Sequence, residues 1–497
     1  MQKKRSVAAL PEAGTARWAV IASLLSAALP FLLYLRTMAP TVYGVDSAEL
    51  TTGSFVLGIV HPPGAPTYLL LGHLFSWLPV GDVGYRLNLM SACAVAGSLF
   101  FFCCILRRLE CHATLALGAA LFVGTSYYVW AAAVAAEIYS IQGCVAALLI
   151  LLAMRARQNA DSSDVLLLGF LLGLGIGAHQ SLALLVPGLI VLIASGPRRS
   201  RPTLQRCVLA AALTIAGAGV YLYLPLRYAA DLPLNPARDS WLIDLTTWQG
   251  FRWMVTSRGF SHLFFAVPAH RLGNELGLYA YQVWSNFMGM GALFALSGLL
   301  IGLRRNPAVH GSFLLMLLVY LAFFLPYGAG DKQMMFLPTY LLWGVWLAVA
   351  AQELVDRFED PASARSLRFV VSTALFGMAL LTAVINFRLL DVSRDWTARQ
   401  RGLRLLDALA PNAVFFGSFA DLRIVEYLQF VEGRRGDIET VDLLFADAQR
   451  SRRRILDRLS SGAEVYVRSC DDWQDGAWRC AEMDDLGIAR LARPSPF

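Results

Sequence analysis

Asp46 and Glu49 stand three residues apart in Tyr43-Gly44-Val45-Asp46-Ser47-Ala48-Glu49-Leu50. On a helix that spacing puts both carboxylates on one face. A carboxylate held there can take the proton of an attacking hydroxyl, which is general-base work. The same spacing also makes a capping box, with Asp46 as N-cap and Glu49 at the third helical position. The two readings are compatible, because a capped helix start holds a carboxylate rigidly. Further on comes His61-Pro62-Pro63-Gly64-Ala65-Pro66, which cannot continue a helix because proline lacks the N–H and restrains its predecessor. It reads as a stiff turn, in which His61 either binds a phosphate or acceptor or simply turns the chain.

Other polar groups recur beside apolar stretches: Glu137 with Tyr139, His179 with Gln180, Arg227, and Asp331-Lys332. Between Arg227 and the next apolar stretch lie Arg238, Trp241, Asp244, Gln249, Arg252 and Arg258. Singly, each reads more readily as an interfacial anchor than as a ligand. Jointly they offer arginines for a phosphate and carboxylates for a base.

The elements that must position these residues follow from composition. Of 497 residues 57% are hydrophobic and only 15% charged, with a mean hydropathy of +0.54, against about 25% charged in an average soluble chain. The apolar residues fall in runs of roughly the 20 residues that an α-helix needs to cross a bilayer. We read about 11 spans, at 18–35, 86–106, 113–130, 138–154, 165–178, 181–194, 204–224, 278–303, 312–325, 336–350 and 368–389. The first follows Lys3, Lys4, Arg5 and Arg17 and reads as an uncleaved anchor.

Arginines sit at alternate ends of these spans: Arg107 and Arg108, Arg155 and Arg157, Arg198 to Arg201, Arg304 and Arg305, Arg357 to Arg368. The short loops around 130–138 and His179 carry none. The positive-inside rule then puts the N-terminus in the cytoplasm. Asp46, Glu49 and His61 fall on the opposite side, which is periplasmic if the membrane is a bacterial inner membrane. There the loop 36–85 carries two short amphipathic stretches, 48–57 and 67–77, suited to the interface. A second long loop runs over 225–275.

The resulting fold class is an α-helical polytopic membrane protein, with a membrane domain over 1–390 and a small soluble α/β domain over 391–497 on the exterior face. In the latter, helical patterns at 397–409, 422–432 and 448–459 alternate with strand-like runs at 413–416, 438–443 and 464–467, which indicates a parallel sheet. Cys470 and Cys480, outside the cytoplasm by this topology, are free to pair as a disulfide. The other six cysteines lie in or beside apolar runs and form no C-x-x-C pair, so no metal site is expected.

The net charge of +7 is accounted for by the span ends, and no basic stripe interleaved with aromatics suggests a nucleic-acid partner. There is no P-loop, and Gly173, Gly175 and Gly177 lie inside a span, where small residues let helices approach. The absence of Asp-x-Asp speaks against a metal-bound nucleotide sugar.

Taken together, the pieces resemble a family first described as a domain of unknown function, which includes the vertebrate O-mannosyltransferase acting on IPT domains. The matching pieces are Asp46-Ser47-Ala48-Glu49-Leu50, His61 to Pro66, Tyr85-Arg86-Leu87-Asn88-Leu89, Ala136-Glu137-Ile138-Tyr139-Ser140, Gly177-Ala178-His179-Gln180, Trp241 through Phe260, and Glu432 to Asp437. Ala48 departs from the usual glycine. The family is similar to the GT-C glycosyltransferases, and the resemblance implies a polyprenyl-phosphate-linked sugar, mannose or similar, as donor. The acceptor would be a hydroxyl on a protein, lipid or glycan, with inversion at the sugar carbon. It also implies Asp46 as base with Glu49 supporting or sharing that role. His61, Arg86, Asn88, Glu137, Tyr139, His179, Arg227, Trp241 and Arg258 are the expected substrate-binding residues, with Arg86 and Arg227 at the lipid phosphate, across a cavity from Asp46. No resident cofactor is expected, and nothing supports a divalent metal. The competing readings are a flippase for lipid-linked sugars, which needs a polar path through the bilayer, and a non-catalytic scaffold presenting the C-terminal domain.

Overall fold

The apolar runs become helices because backbone groups in hydrocarbon can only be satisfied internally. The computed structural model describes residues 13–159, 163–442, 448–473, 479–483 and 486–492; Lys3, Lys4 and Arg5 lie outside them. Six described helices are long and apolar enough to cross a membrane: Arg17–Thr37, Val83–Arg108, Ile138–Ala156, Leu204–Ala229, Pro307–Phe324 and Pro361–Leu390. Shorter apolar helices run over Ala113–Gly124, Asp164–Ile176 and Gln180–Ala194, and a further helix spans Leu337–Asp356.

Two expected spans are broken. The run 278–303 is a pair of helices, Leu272–Asn286 and Met290–Arg305, with a bend of 105° between the two arms. Met288 and Gly289 both take positive φ there, which ends the first helix. The run 113–130 stops at Gly124; the Thr125 hydroxyl turns back onto the Leu121 carbonyl at 3.0 Å, and a short helix resumes at Tyr127–Ala131.

The helix pair Asp164–Ile176 and Leu204–Ala218 packs through Gly169, Gly173 and Gly217, and a Cβ at Gly173 would run into the Thr214 carbonyl oxygen. At one end of the bundle Arg108, Arg157 and Arg305 line a common cleft. The opposite end carries the first loop.

The C-terminal unit is a five-stranded sheet of order β2-β1-β3-β5-β4, with β1 Val414–Gly417, β2 Glu439–Asp442, β3 Val465–Val467, β4 Arg479–Met483 and β5 Ile488–Ala492. β1 pairs in parallel with β2 and β3, so Val414 lies opposite both Glu439 and Val465. The antiparallel β4–β5 pair is additional to the elements expected from sequence. Cys470 and Cys480 form a disulfide.

Successive residues of β1 face opposite sides. Phe416 packs with Val441, Ile455 and Val465, whereas Phe415 joins Leu422, Tyr427, Ala48, Leu50 and Val60 in a cluster shared with the first loop. The α/β unit and the loop therefore share one core. The loop's helix Asp46–Val56 is consequently buried from Ser47 to Ser54, rather than resting on the interface as its amphipathic pattern suggested.

Candidate functional site

Asp46 opens the helix Asp46–Val56, and no side chain caps it. The capping-box expectation therefore fails. Val45 occupies the cap position at φ 58°, a conformation that costs a β-branched residue about 1–3 kcal/mol. Glu49 points instead to the next turn of the loop. Its Oε2 meets His61 Nδ1, and its Oε1 accepts the His61 backbone N–H at 3.1 Å. Gly64 makes that turn at φ +89°, where a Cβ would lie 2.7 Å from Leu224 Cδ2.

Asp46 and His61 line a cavity of about 570 Å³ together with Glu137, Tyr139, His179 and Asp331. Much of the remaining wall is apolar, including Leu263, Phe264, Phe323 and Phe324, and Phe419 from the α/β unit closes one side. Asp46 is half-buried, and among the described residues its carboxylate makes no hydrogen bond or ion pair. Tyr139 donates to Asp331 at 2.7 Å. His179 Nδ1 is 2.7 Å from the Ser181 hydroxyl, and its ring lies 5.5 Å from that of Tyr139.

Electrostatics separate these groups. Burial raises the Asp46 carboxyl above its ordinary value, His61 pulls it back, and Glu49 and Asp331 raise it further. Burial works against ionised Glu49 as well, but His61 and Arg423 hold it below the ordinary range. His61 loses from burial and gains more from Glu49, so its pKa rises from 6.5 to about 9 and the ring is a cation at neutral pH. Burial, with Asp46 and Asp331 nearby, lifts Glu137 to about 8. Burial depresses His179 to about 4, so that ring is neutral.

The structure brings Asp46, His61, Glu137, Tyr139 and His179 to one cavity and leaves the other expected residues around it. Arg86 does not line the cavity; its guanidinium donates to the carbonyls of Val80 at 2.9 Å, Ser76 at 2.5 Å and Gly81 at 3.0 Å. Arg227 donates to Leu57 O at 2.8 Å and Val56 O at 3.3 Å. Both arginines thus satisfy carbonyls at or just beyond the C-terminal ends of the two loop helices. Asn88 is fully buried and ties three segments: it donates to Ala39 O and Thr41 O at 2.9 Å and accepts Ala136 N–H at 2.8 Å. It thereby fixes the chain next to Glu137.

Trp241 packs on Phe260 with centroids 6.0 Å apart, and Phe260 in turn meets the His61 ring edge-on at 5.8 Å. Arg258 is exposed at the start of the turn that carries Phe260. Among the described residues no Arg or Lys lines the cavity; Lys332, next to Asp331, is paired with Glu275 at 2.8 Å.

Sequence reasoning missed Arg423 and Phe419. Arg423 lies in the helix Phe419–Phe430, and its signal was a charge at i,i+3 from Glu426 inside the apolar run Leu422 to Leu428.

A multi-span bundle with a small α/β unit seated over a loop-borne cavity is the GT-C membrane fold. The crystal structure of ArnT from Cupriavidus metallidurans bound to undecaprenyl phosphate shares it, with a TM-score of 0.57 at 12% identity over 97% of this chain and 98% of that one. The apo form matches equally, covering 100% of its own chain.

Within that fold the family resemblance holds. Residues 46–202 match the family model of the protein O-mannosyl-transferase TMEM260 N-terminal domain. The chain is 28% identical over 477 residues to protein O-mannosyl-transferase TMEM260 of Mus musculus, covering 87% of this chain and 64% of that protein. It is 27% identical over 125 residues to the Dictyostelium discoideum tmem260 protein, covering 24% of this chain and 15% of the relative. The chain thus spans less than two thirds of the length of either relative.

Proposed function

We propose that this integral multi-pass membrane protein is a glycosyltransferase that moves a sugar, mannose or a close relative, from a polyprenyl phosphate to an acceptor hydroxyl. In this reading the transfer takes place on the exterior face, which the arginine-bearing span ends support. The observation that carries the proposal is one largely apolar cavity lined by both Asp46, whose carboxylate makes no hydrogen bond or ion pair among the described residues, and His61, whose ring is bound by Glu49, which favours its protonated form. The likeness to TMEM260 supports mannose and a protein acceptor, and that to ArnT supports the lipid-phosphate donor.

In this reading the apolar wall receives the prenyl chain. The acceptor oxygen attacks the anomeric carbon as its proton passes to Asp46. The carbon–oxygen bond to phosphate breaks, and the phosphate leaves with the electron pair, its charge balanced by the His61 imidazolium. Attack opposite the leaving group inverts the anomeric centre. The two arginines expected at the phosphate are engaged by backbone carbonyls, so His61 takes that role.

Asp46→Asn keeps the shape and removes the base. In membranes supplied with polyprenyl-phosphate mannose it should lower transfer by roughly the 10²- to 10⁴-fold typical of general-base loss. Undiminished transfer would show that Asp46 is not the base.

A further inference from the structure

We propose that the C-terminal α/β unit completes the transfer site, and that Arg423 is the positioning residue through which it does so. This rests on the transferase reading and extends it to a part of the chain that the loop motifs do not reach.

Arg423 reaches the loop from the helix Phe419–Phe430, which lies against the helix Asp46–Val56 in the core shared by Leu422, Val425, Ala48 and Leu50. Its Nη1 is 3.7 Å from Glu49 Oε1 and 2.9 Å from Glu426 Oε2, while Nη2 is 2.8 Å from Asp442 Oδ2 in β2. It is only 2% exposed. The guanidinium also lies 5.1 Å over the ring of Phe419, the residue that walls the cavity.

A buried ion cluster of this kind is a poor means of stabilising a fold, because desolvation cancels most of its Coulomb energy. What it does supply is placement. Glu49 is held from two sides: the His61 ring meets Oε2, and the His61 backbone N–H and the Arg423 guanidinium both approach Oε1. The direction of the His61 ring, and the charge on it, thus depend on a residue of the α/β unit. Asp442 and Glu426 fix Arg423 in turn, so the sheet, the helix and the loop are registered to one another through a single guanidinium.

The test uses the full chain in lipid nanodiscs, with Arg423→Met, Arg423→Lys, and Arg401→Met as a control in the same unit, since Arg401 pairs with Asp421 away from the cavity. With polyprenyl-phosphate mannose as donor and a membrane-protein extract as acceptor, Arg423→Met should lose about 100-fold in kcat, the scale of a misplaced catalytic group. The KM for the donor should barely change. Arg423→Lys should recover part of the loss, and Arg401→Met should transfer like the parent. Parental turnover by Arg423→Met would overturn the inference.

A second measurement stands apart from activity: thermal unfolding of Glu49→Gln, Arg423→Met and the double variant. Coupled residues give non-additive shifts, and strictly additive ones would overturn the inference. If the parent transfers no mannose, the transferase reading fails, while the unfolding cycle still decides whether Arg423 positions Glu49.

Discussion

Replacing Glu49 by Gln is the most informative single perturbation of the loop. Against the burial that lowers it, Glu49, with a smaller contribution from Asp46, raises the His61 pKa from 6.5 to about 9. A net rise of that size corresponds to about 3 kcal/mol of pH-dependent stability. The His61 side chain is 24% exposed, so solvent screens only part of this. Because the folded-state pKa lies above the free value, the contribution is complete below pH 6.5 and is lost as pH rises through about 9. The parent should therefore lose up to about 3 kcal/mol of stability across that window, and Glu49→Gln should lack this loss. Intrinsic tryptophan fluorescence during thermal unfolding in nanodiscs, at steps from pH 6 to 9.5, would read the difference. The transfer rate offers a second view. Its alkaline limb should follow His61 in the parent and move to lower pH in the variant, because burial lowers an imidazole and only Asp46 would remain to oppose it. Parallel stability profiles and an unmoved alkaline limb would refute the ion pair.

Two further outcomes separate scaffold from site. Arg86→Ala removes three donors from loop carbonyls and should cost about 2 kcal/mol of stability; thermal unfolding measures that, and binding of polyprenyl phosphate should be unaffected. Cys470→Ser opens the disulfide to Cys480, whose sequence separation is 10, and should destabilise the α/β unit by about 3 kcal/mol on the chain-entropy scale. Limited proteolysis of that unit, with and without reductant, checks it.

Hydropathy made most of the bundle legible, because a bilayer imposes length and apolarity on any helix that crosses it. It could not reveal the break at Phe287 to Gly289, which depends on backbone dihedrals rather than on polarity. The strands β1, β2 and β3 were legible as apolar runs. β4 was not, since Arg479–Met483 is largely exposed and has no apolar alternation. In the site, the sequence singled out Asp46 and His61, which the fold brings to one cavity, but the same logic gave Arg86 and Arg227 to the phosphate. An arginine in a loop announces a charge and not its acceptors, and here the acceptors are the carbonyl groups at the ends of the two loop helices. Arg423 was hidden for a different reason. Its partner Glu49 belongs to a distant segment of the chain, and only the docking of the α/β unit brings the two together.

In the proposed transfer, the opposite environments of the two loop carboxylates favour Asp46 over Glu49 as the base. Glu49 is 1% exposed and fully committed: protonating it would break its bonds to His61 and leave the Arg423 guanidinium one anion short. Its lowered pKa makes it a weak proton acceptor and a strong anchor. Asp46, three residues earlier and lining the cavity, is raised by burial, and taking a proton costs it only the attraction of the nearby His61 and Arg423 and breaks no hydrogen bond among the described residues. Two titratable groups driven apart in this way divide the work. In the proposed mechanism one sets the charge of the imidazole toward the leaving phosphate, and the other receives the proton of the attacking hydroxyl. It follows that Glu49→Asp, which keeps the charge but shortens the reach to His61 Nδ1, should impair transfer chiefly by lowering the alkaline limb. Asp46→Glu should instead lower the rate at every pH without moving that limb, and a pH–rate profile of the two variants tells the roles apart.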